Sequence, residues 1–247
     1  MKKVYDTINQ YCVEHDLLMN GDGIVIGLSG GVDSVCLLQV LAALRNEWQL
    51  RLVCVHVHHG IRGTTADEDA AFAQRLAAKY NISFRLYEMD IPQLAKEQGL
   101  SEEEAGRNYR YRCFEEVRKE LNFDKIAVAH HRDDQAETVL WQILRGSGLR
   151  GVCGMRAGRA NIIRPLLCLD RQQIEQIVRG NGDGWREDAT NREEKYTRNK
   201  IRNRVFPYIE QEIQPMARRH LVELAEDCQR AWDYIERQML EQYERLV

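Results

Sequence analysis

Ile24-Val25-Ile26-Gly27-Leu28-Ser29-Gly30-Gly31-Val32-Asp33-Ser34-Val35-Cys36-Leu37-Leu38 decides how the rest of this sequence is read. Ile24–Leu28 is a short apolar run of strand length, and Ser29–Ser34 is a glycine turn. Apolar residues at helical spacing follow, through Leu41 and Leu44. A strand, a glycine turn and a helix in this order predict a phosphate cradle. The glycines let backbone approach a ligand, and the helix start offers N–H groups at the positive end of its dipole. Ser29 and Ser34 add hydroxyl donors, and Asp33 is a candidate magnesium ligand. The turn lacks a Gly-Lys-Ser/Thr ending, so no lysine of its own reaches outer phosphates. The plain alternative is a glycine-rich turn that binds nothing.

Strand-like and helix-like runs alternate outward from this stretch. Helix 33–45 is followed by strand 51–57, helix 66–80, strand 82–87 and helix 102–121, with Ser101 as N-cap and Glu104 at the capping-box position. Strand 125–129 then leads into helix 134–145. This alternation predicts an α/β fold: a Rossmann-like parallel sheet with helices on both faces. Ligands of such sheets bind beyond the carboxyl ends of the strands, where the loops 29–34, 58–65 and 130–134 begin. Five glycines between Gly146 and Gly158 predict a long stretch without regular structure. Residues 170–179 read as a helix capped by Asp170. From about Pro215 one long helix is expected, with Leu221, Ala225, Cys228, Trp232, Ile235 and Met239 forming a packing seam for another helix or a second chain. The expected division is a catalytic domain at 1–214 and a helical extension at 215–247.

Composition narrows the classes. The 247 residues carry a net charge of −3 and are 44% hydrophobic, which suits a globule with a real core. No apolar run is long enough for a membrane span, and the start of the chain turns polar at once. The seven cysteines form no CxxC pair, which argues against a zinc or iron–sulfur site and fits a reducing, cytoplasmic setting. Charge is uneven: Trp141–Arg164 holds five arginines and no acid, and Arg192–Arg204 holds six basic residues. A basic middle is suited to a polyanion, although a run of this kind is also ordinary surface.

Further clusters carry chemistry. In Ala129-His130-His131-Arg132-Asp133-Asp134-Gln135-Ala136-Glu137-Thr138, Asp134 and Glu137 share one helix face, fit to grip a magnesium ion or an ammonium group. His130 stands at the strand end, suited to donate to a phosphate. His56-Val57-His58-His59-Gly60-Ile61-Arg62-Gly63 suits nucleotide contact, with metal binding by the histidines as the rival. Arg107 and Arg110 offer guanidinium forks to phosphates, or ion pairs on a solvated helix. Arg198 and Arg202 are four apart and face one way.

SGGVDS at 29–34 resembles the pyrophosphate loop of the PP-loop ATP pyrophosphatase superfamily. Taken in order, SGGVDS, HVHHGIRG, EEAGRNYRY, AHHRDDQAET, ILRGSGLRG, IIRPLL, WREDATN and YTRNKIR resemble the tRNA(Ile)-lysidine synthetase family over residues 20–207. That resemblance implies an adenine nucleotide alpha hydrolase-like fold. It also implies a cytoplasmic ligase that uses ATP and magnesium to adenylate the C2 oxygen of the wobble cytidine in a tRNA(Ile) with a CAU anticodon. L-lysine then displaces AMP. By the same resemblance Ser29, Gly30, Gly31, Val32, Asp33 and Ser34 seat ATP, with His56, His59 and Gly60 beside it. Arg107 and His130 act near the phosphates. Asp134 and Glu137 hold the lysine, and Arg198 and Arg202 meet phosphates or tRNA. The 146–159 loop gates the site or contacts tRNA, and a homodimer is implied. His58 departs from the asparagine usual in the family. Members commonly carry further C-terminal domains, so the chain is read either as a fragment or as a weaker tRNA binder. The rival readings are a tRNA thiolase of the same superfamily, for which paired cysteines are missing, and a nucleotide-binding module without catalysis.

Overall fold

The computed structural model describes residues 2–58, 63–186 and 197–246. In chain order the elements are α1 (Lys2–Glu14), β1 (Gly23–Gly27), α2 (Val32–Leu44), β2 (Arg51–His58), α3 (Gly63–Lys79), β3 (Ser83–Glu88), α4 (Ile91–Gln98), α5 (Glu102–Glu120) and β4 (Lys125–Ala127). They continue with α6 (Arg132–Leu144), α7 (Leu149–Val152), β5 (Gly158–Arg159), β6 (Ile162–Ile163), α8 (Arg171–Gly180), α9 (Thr197–Lys200), α10 (Phe206–Glu212) and α11 (Ala217–Leu246). A π-helical turn at Ile201–Val205 joins α9 to α10. Helix starts follow side-chain chemistry where it is present. Ser101 accepts from Glu104 N, and Asp170 forms a reciprocal capping box with Gln173.

Contacts divide the chain into two compact units, Met1–His130 with Ala157–Glu187, and His131–Arg156 with Asp188–Val247. The first unit holds a six-stranded sheet in the order β3-β2-β1-β4-β6-β5, parallel throughout except for the β5–β6 pair. Alternate residues of β1 serve opposite faces. Ile24 and Ile26 join a core with α1, α2, α3 and α8 residues, while Val25 packs with Phe114 and Val117 of α5. The expected doubly covered sheet is thus present. Gly27 is required by this packing, because a Cβ there would stand 2.7 Å from the Phe114 ring.

The second unit is helical. Its core joins Ala136 of α6, Ile201, Phe206 and Val222 of α11. The seam read along the last helix divides. Ala225 is buried and Leu221, Cys228 and Trp232 are half-buried, whereas Ile235 and Met239 are exposed; the buried neighbour Val222 lies outside the expected seam. The 146–158 stretch is not structureless as expected. α7 lies within it, and β5 begins at its end. Sequence periodicity fails there because elements two to four residues long are too short to show a period. Missed for the same reason is β6, which extends the sheet beside β4.

Candidate active site

In the first unit the carboxyl ends of β1, β2, β4 and β6 share one edge of the sheet. The chain leaves β1 through Leu28, whose N–H donates to the Val55 carbonyl at 2.9 Å. Gly30 follows at φ +91°, a region that L side chains rarely adopt. Gly31 is the extended N-cap of α2 and supplies no side-chain cap. Ser34 Oγ organises the turn: it accepts from Ser29 N at 3.2 Å and Gly30 N at 3.1 Å, and donates to the Gly31 carbonyl at 2.9 Å. A hydroxyl has one proton, and in this geometry Ser34 spends it inside the loop. Its part is to shape the cradle. Ser29 Oγ lies 3.1 Å from Ser34 Oγ. Val32 is buried beneath the turn.

Asp33 in the first turn of α2 faces α8. Arg171 Nη1 donates to both of its oxygens, at 3.0 and 2.9 Å. The same region braces the loop again, because Arg186 N donates to the Gly30 carbonyl at 2.9 Å. The Arg186 guanidinium reaches Asp69 at 2.6 Å and Glu68 at 2.8 Å on α3.

The other sites expected in this unit are spread along the carboxyl edge. His56 is 5% exposed, and its Nδ1 sits 2.8 Å from the Leu28 carbonyl, which accepts only from an N–H. Burial lowers the His56 pKa against the opposing effect of that hydrogen bond, which favours the neutral ring. Its visible work is to tie β2 to the start of the loop. His130 is half-buried just beyond β4. Arg107 is exposed on α5, its guanidinium 5.1 Å from the Tyr111 ring centroid. His59 and Gly60 lie outside the described residues. Arg164, which the sequence places in a basic run and in IIRPLL without a site role, follows β6 at the same edge and is 7% exposed. Burial lowers its pKa, with the charges of Arg107 and Arg159 adding to the effect. An arginine directly after Ile162-Ile163 was the available signal.

The second unit brings four predicted residues together. Asp134 Oδ1 accepts from Arg198 Nη2 at 2.8 Å and Arg202 Nη2 at 2.9 Å. Glu137 accepts from Arg198 Nε at 2.9 Å, Arg202 Nε at 2.6 Å and Arg202 Nη2 at 2.9 Å. Asp134 Oδ2 also caps α6 by accepting from His131 N at 3.0 Å. The acid pair spans one turn of α6, as its spacing required. Its partners are the two arginines, one on α9 and one in the π-helical turn. The sequence reading placed an ammonium on the acids and phosphates or tRNA on the arginines, and treated the two pairs separately. The structure joins them into one ion-pair network.

A glycine turn of this shape at the carboxyl edge of a parallel sheet defines a nucleotide-binding α/β domain. The chain belongs to the PP-loop domain family, whose pattern matches residues 2–209. It is 45% identical over 241 residues to a tRNA(Ile)-lysidine synthase of Caldanaerobacter subterraneus subsp. tengcongensis, covering 96% of this chain and 50% of that protein. It is 40% identical over 246 residues to the tRNA(Ile)-lysidine synthase of Clostridium perfringens, covering 99% of this chain and 52% of that protein. The chain therefore spans about half the length of the curated relatives it matches. Among solved structures, the U34-tRNA thiolase NcsA of Methanococcus maripaludis superposes with a TM-score of 0.72 at 18% identity, over 92% of this chain and 77% of that one. An NH3-dependent NAD synthetase of Campylobacter jejuni gives 0.52 at 16% identity, over 93% of each chain. These two likenesses are of fold alone. Among the described residues no helix is long and apolar enough to cross a membrane.

Proposed function

We propose that this chain is the catalytic part of an ATP-dependent ligase that joins lysine to C2 of the wobble cytidine in tRNA(Ile) bearing a CAU anticodon. The observation that carries the reading is the SGGVDS turn, shaped by Ser34 and opening α2 at the carboxyl edge of the sheet. Relatives named tRNA(Ile)-lysidine synthase, 45% and 40% identical over nearly the whole chain, support it. The use of ATP follows from the family.

The C2 oxygen of cytosine is a poor leaving group. Its attack on the α phosphorus of ATP breaks the bond to the bridging oxygen, and pyrophosphate departs. An amine of lysine then forms a bond to C2 as the C2–O bond breaks, and AMP leaves with that oxygen. The amine sheds its proton on the way, because only a neutral amine attacks. The α2 start presents N–H dipoles to the departing pyrophosphate, while the Ser29 and Gly30 N–H groups are held by Ser34 Oγ. His130 and Arg107 supply donors for charge developing at the phosphates. Asp134 and Glu137 supply the acids that an ammonium group needs. A lysine ammonium is there a rival of Arg198 and Arg202 for the same oxygens.

Magnesium keeps few protein ligands and completes its shell with phosphates and water. Asp33 would serve as such a single ligand once Arg171, which holds both of its oxygens, gives way. Among the described residues no group of three or more His, Cys, Asp or Glu is assembled to hold a metal by itself. When bound, the ion screens phosphate charge. The cytoplasmic setting and a homodimer through the exposed end of the α11 seam (Ile235, Met239) belong to the same proposal.

The test is lysine-dependent release of AMP and pyrophosphate from ATP with the CAU transcript. Formation of lysidine in the parent, and its loss in Asp33→Ala, is the expected result. ATP turnover indifferent to lysine would favour the thiolase, and nucleotide binding without turnover would leave only a binding module.

A further inference from the structure

Arg171 comes from outside the loop and contacts the only carboxylate within it. Its Nη1 bridges both oxygens of Asp33, a residue 138 positions away in sequence, at 3.0 and 2.9 Å. Arg171 Nε is anchored by Glu175 one turn along α8, at 3.2 Å. The platform is rigid. Asp170 caps α8, and Ile174, Ile177 and Val178 are buried in the same core as Val35, Leu38 and Leu41 of α2. Yet the ion pair itself is reachable, with side chains 42% and 30% exposed. The loop carries no lysine, so it lacks the cation that reaches outer phosphates in the common phosphate loop. A rigidly carried guanidinium within hydrogen-bond distance of Asp33 fills that need, since its planar fork matches phosphate oxygens.

We propose that Arg171 is the phosphate-binding cation of this nucleotide site and that Asp33 and the pyrophosphate moiety are alternative partners for its guanidinium. The proposal rests on the reading of residues 29–34 as the ATP loop. It names a substrate-binding residue on α8, a helix to which no motif assigned a role. The exchange is electrostatically balanced: phosphate oxygens take the Arg171 donors, and the Asp33 carboxylate is released to face a cation on the nucleotide.

The experiment is calorimetric titration of the full chain with inorganic pyrophosphate and with ATP, in a chelator and then in magnesium. Removal of one charged donor weakens affinity by about tenfold or more. Arg171→Ala should therefore bind pyrophosphate at least about tenfold more weakly than the parent, and Arg171→Lys should recover part of the loss. Asp33→Asn should tighten metal-free pyrophosphate binding in the parent, and do so much less in the Arg171→Ala background. General removal of a negative charge predicts equal tightening in both backgrounds, and that result overturns the proposal. So does parent-like affinity in Arg171→Ala. Should Arg171→Ala fail to fold by circular dichroism, Arg171→Met keeps the stem packing and answers the same question. A parent that binds neither probe sinks the ATP-loop reading along with the proposal. A parent that binds both while the Arg171 variants bind equally sinks the proposal alone.

Discussion

Glu137→Gln is the sharpest test of the arginine–carboxylate set. Glu137 is 1% exposed and receives three guanidinium hydrogen bonds, from Arg198 Nε, Arg202 Nε and Arg202 Nη2. Glutamine keeps the shape and one acceptor oxygen. It loses the charge and turns an NH2 group toward donors. With the amide oxygen in the place of Oε2, which accepts two of the three bonds, the bond from Arg202 Nε is lost at about 1.5–3 kcal/mol and the two that remain weaken. The arginines are 36% and 33% exposed, so water recovers part of that loss. The net expectation is about 2–3 kcal/mol, or a fall in Tm of roughly 5–10 °C for a chain of this size. Urea unfolding followed by circular dichroism measures it, alongside Arg202→Gln and the double variant. Because both residues belong to one network, the double variant should cost about 1–3 kcal/mol less than the sum of the singles. Additive singles, or a Glu137→Gln protein within about 0.5 kcal/mol of the parent, would refute the reasoning.

Gly154→Ala should lose about 2–3 kcal/mol in the same unfolding assay, because Gly154 has φ +61° and a Cβ there would stand 2.7 Å from the Gln135 amide. That amide is held by Met155 N at 2.7 Å and the Met155 carbonyl at 3.0 Å, so it has little room to yield. Glu115 predicts a pH effect: its hydrogen bonds with Arg118 lower its pKa from 4.5 to about 2, against the opposing cost of burial. A depressed folded-state pKa means that the stabilisation is complete above the ordinary carboxylate value and is lost as pH falls toward 2. Glu115→Gln should therefore flatten the acid limb of stability against pH, and an unchanged limb would dismiss the assignment.

Much of the fold was legible because its signals are local. β1, α2, β2, α3, α5 and α8 each carry enough residues to express a period or a cap, and all lie close to where the spacing put them. The same holds for the Asp134–Glu137 pair, since an offset of three on a helix fixes a shared face. Elements too short for a period escape, namely α7, β5 and β6, whereas the four-residue spacing of Arg198 and Arg202 already reads as helical, with only the π-helical form of the turn at Arg202 left unread. α1 and α4 were passed over as well, although their lengths of 13 and 8 residues allow a period. Ser34 shows a second kind of gap. A hydroxyl in a glycine loop reads as a ligand donor, but its proton and lone pairs go to the loop's own backbone.

The sequence by itself determined the parallel α/β class, the glycine turn between β1 and α2, and the charged residue types clustered at 130–137 and 198–202. Each of these depends on neighbours a few positions apart, where backbone geometry is dictated by side-chain size, branching and hydrogen-bonding capacity. Tertiary structure alone decided which charges meet. Arg171 finds Asp33 across 138 positions, and Arg198 and Arg202 find Glu137 across more than 60. Coulombic pairing has no sequence period. Its partners are chosen by how the apolar faces of helices pack, and only after that packing are the guanidinium groups brought within reach of the acids.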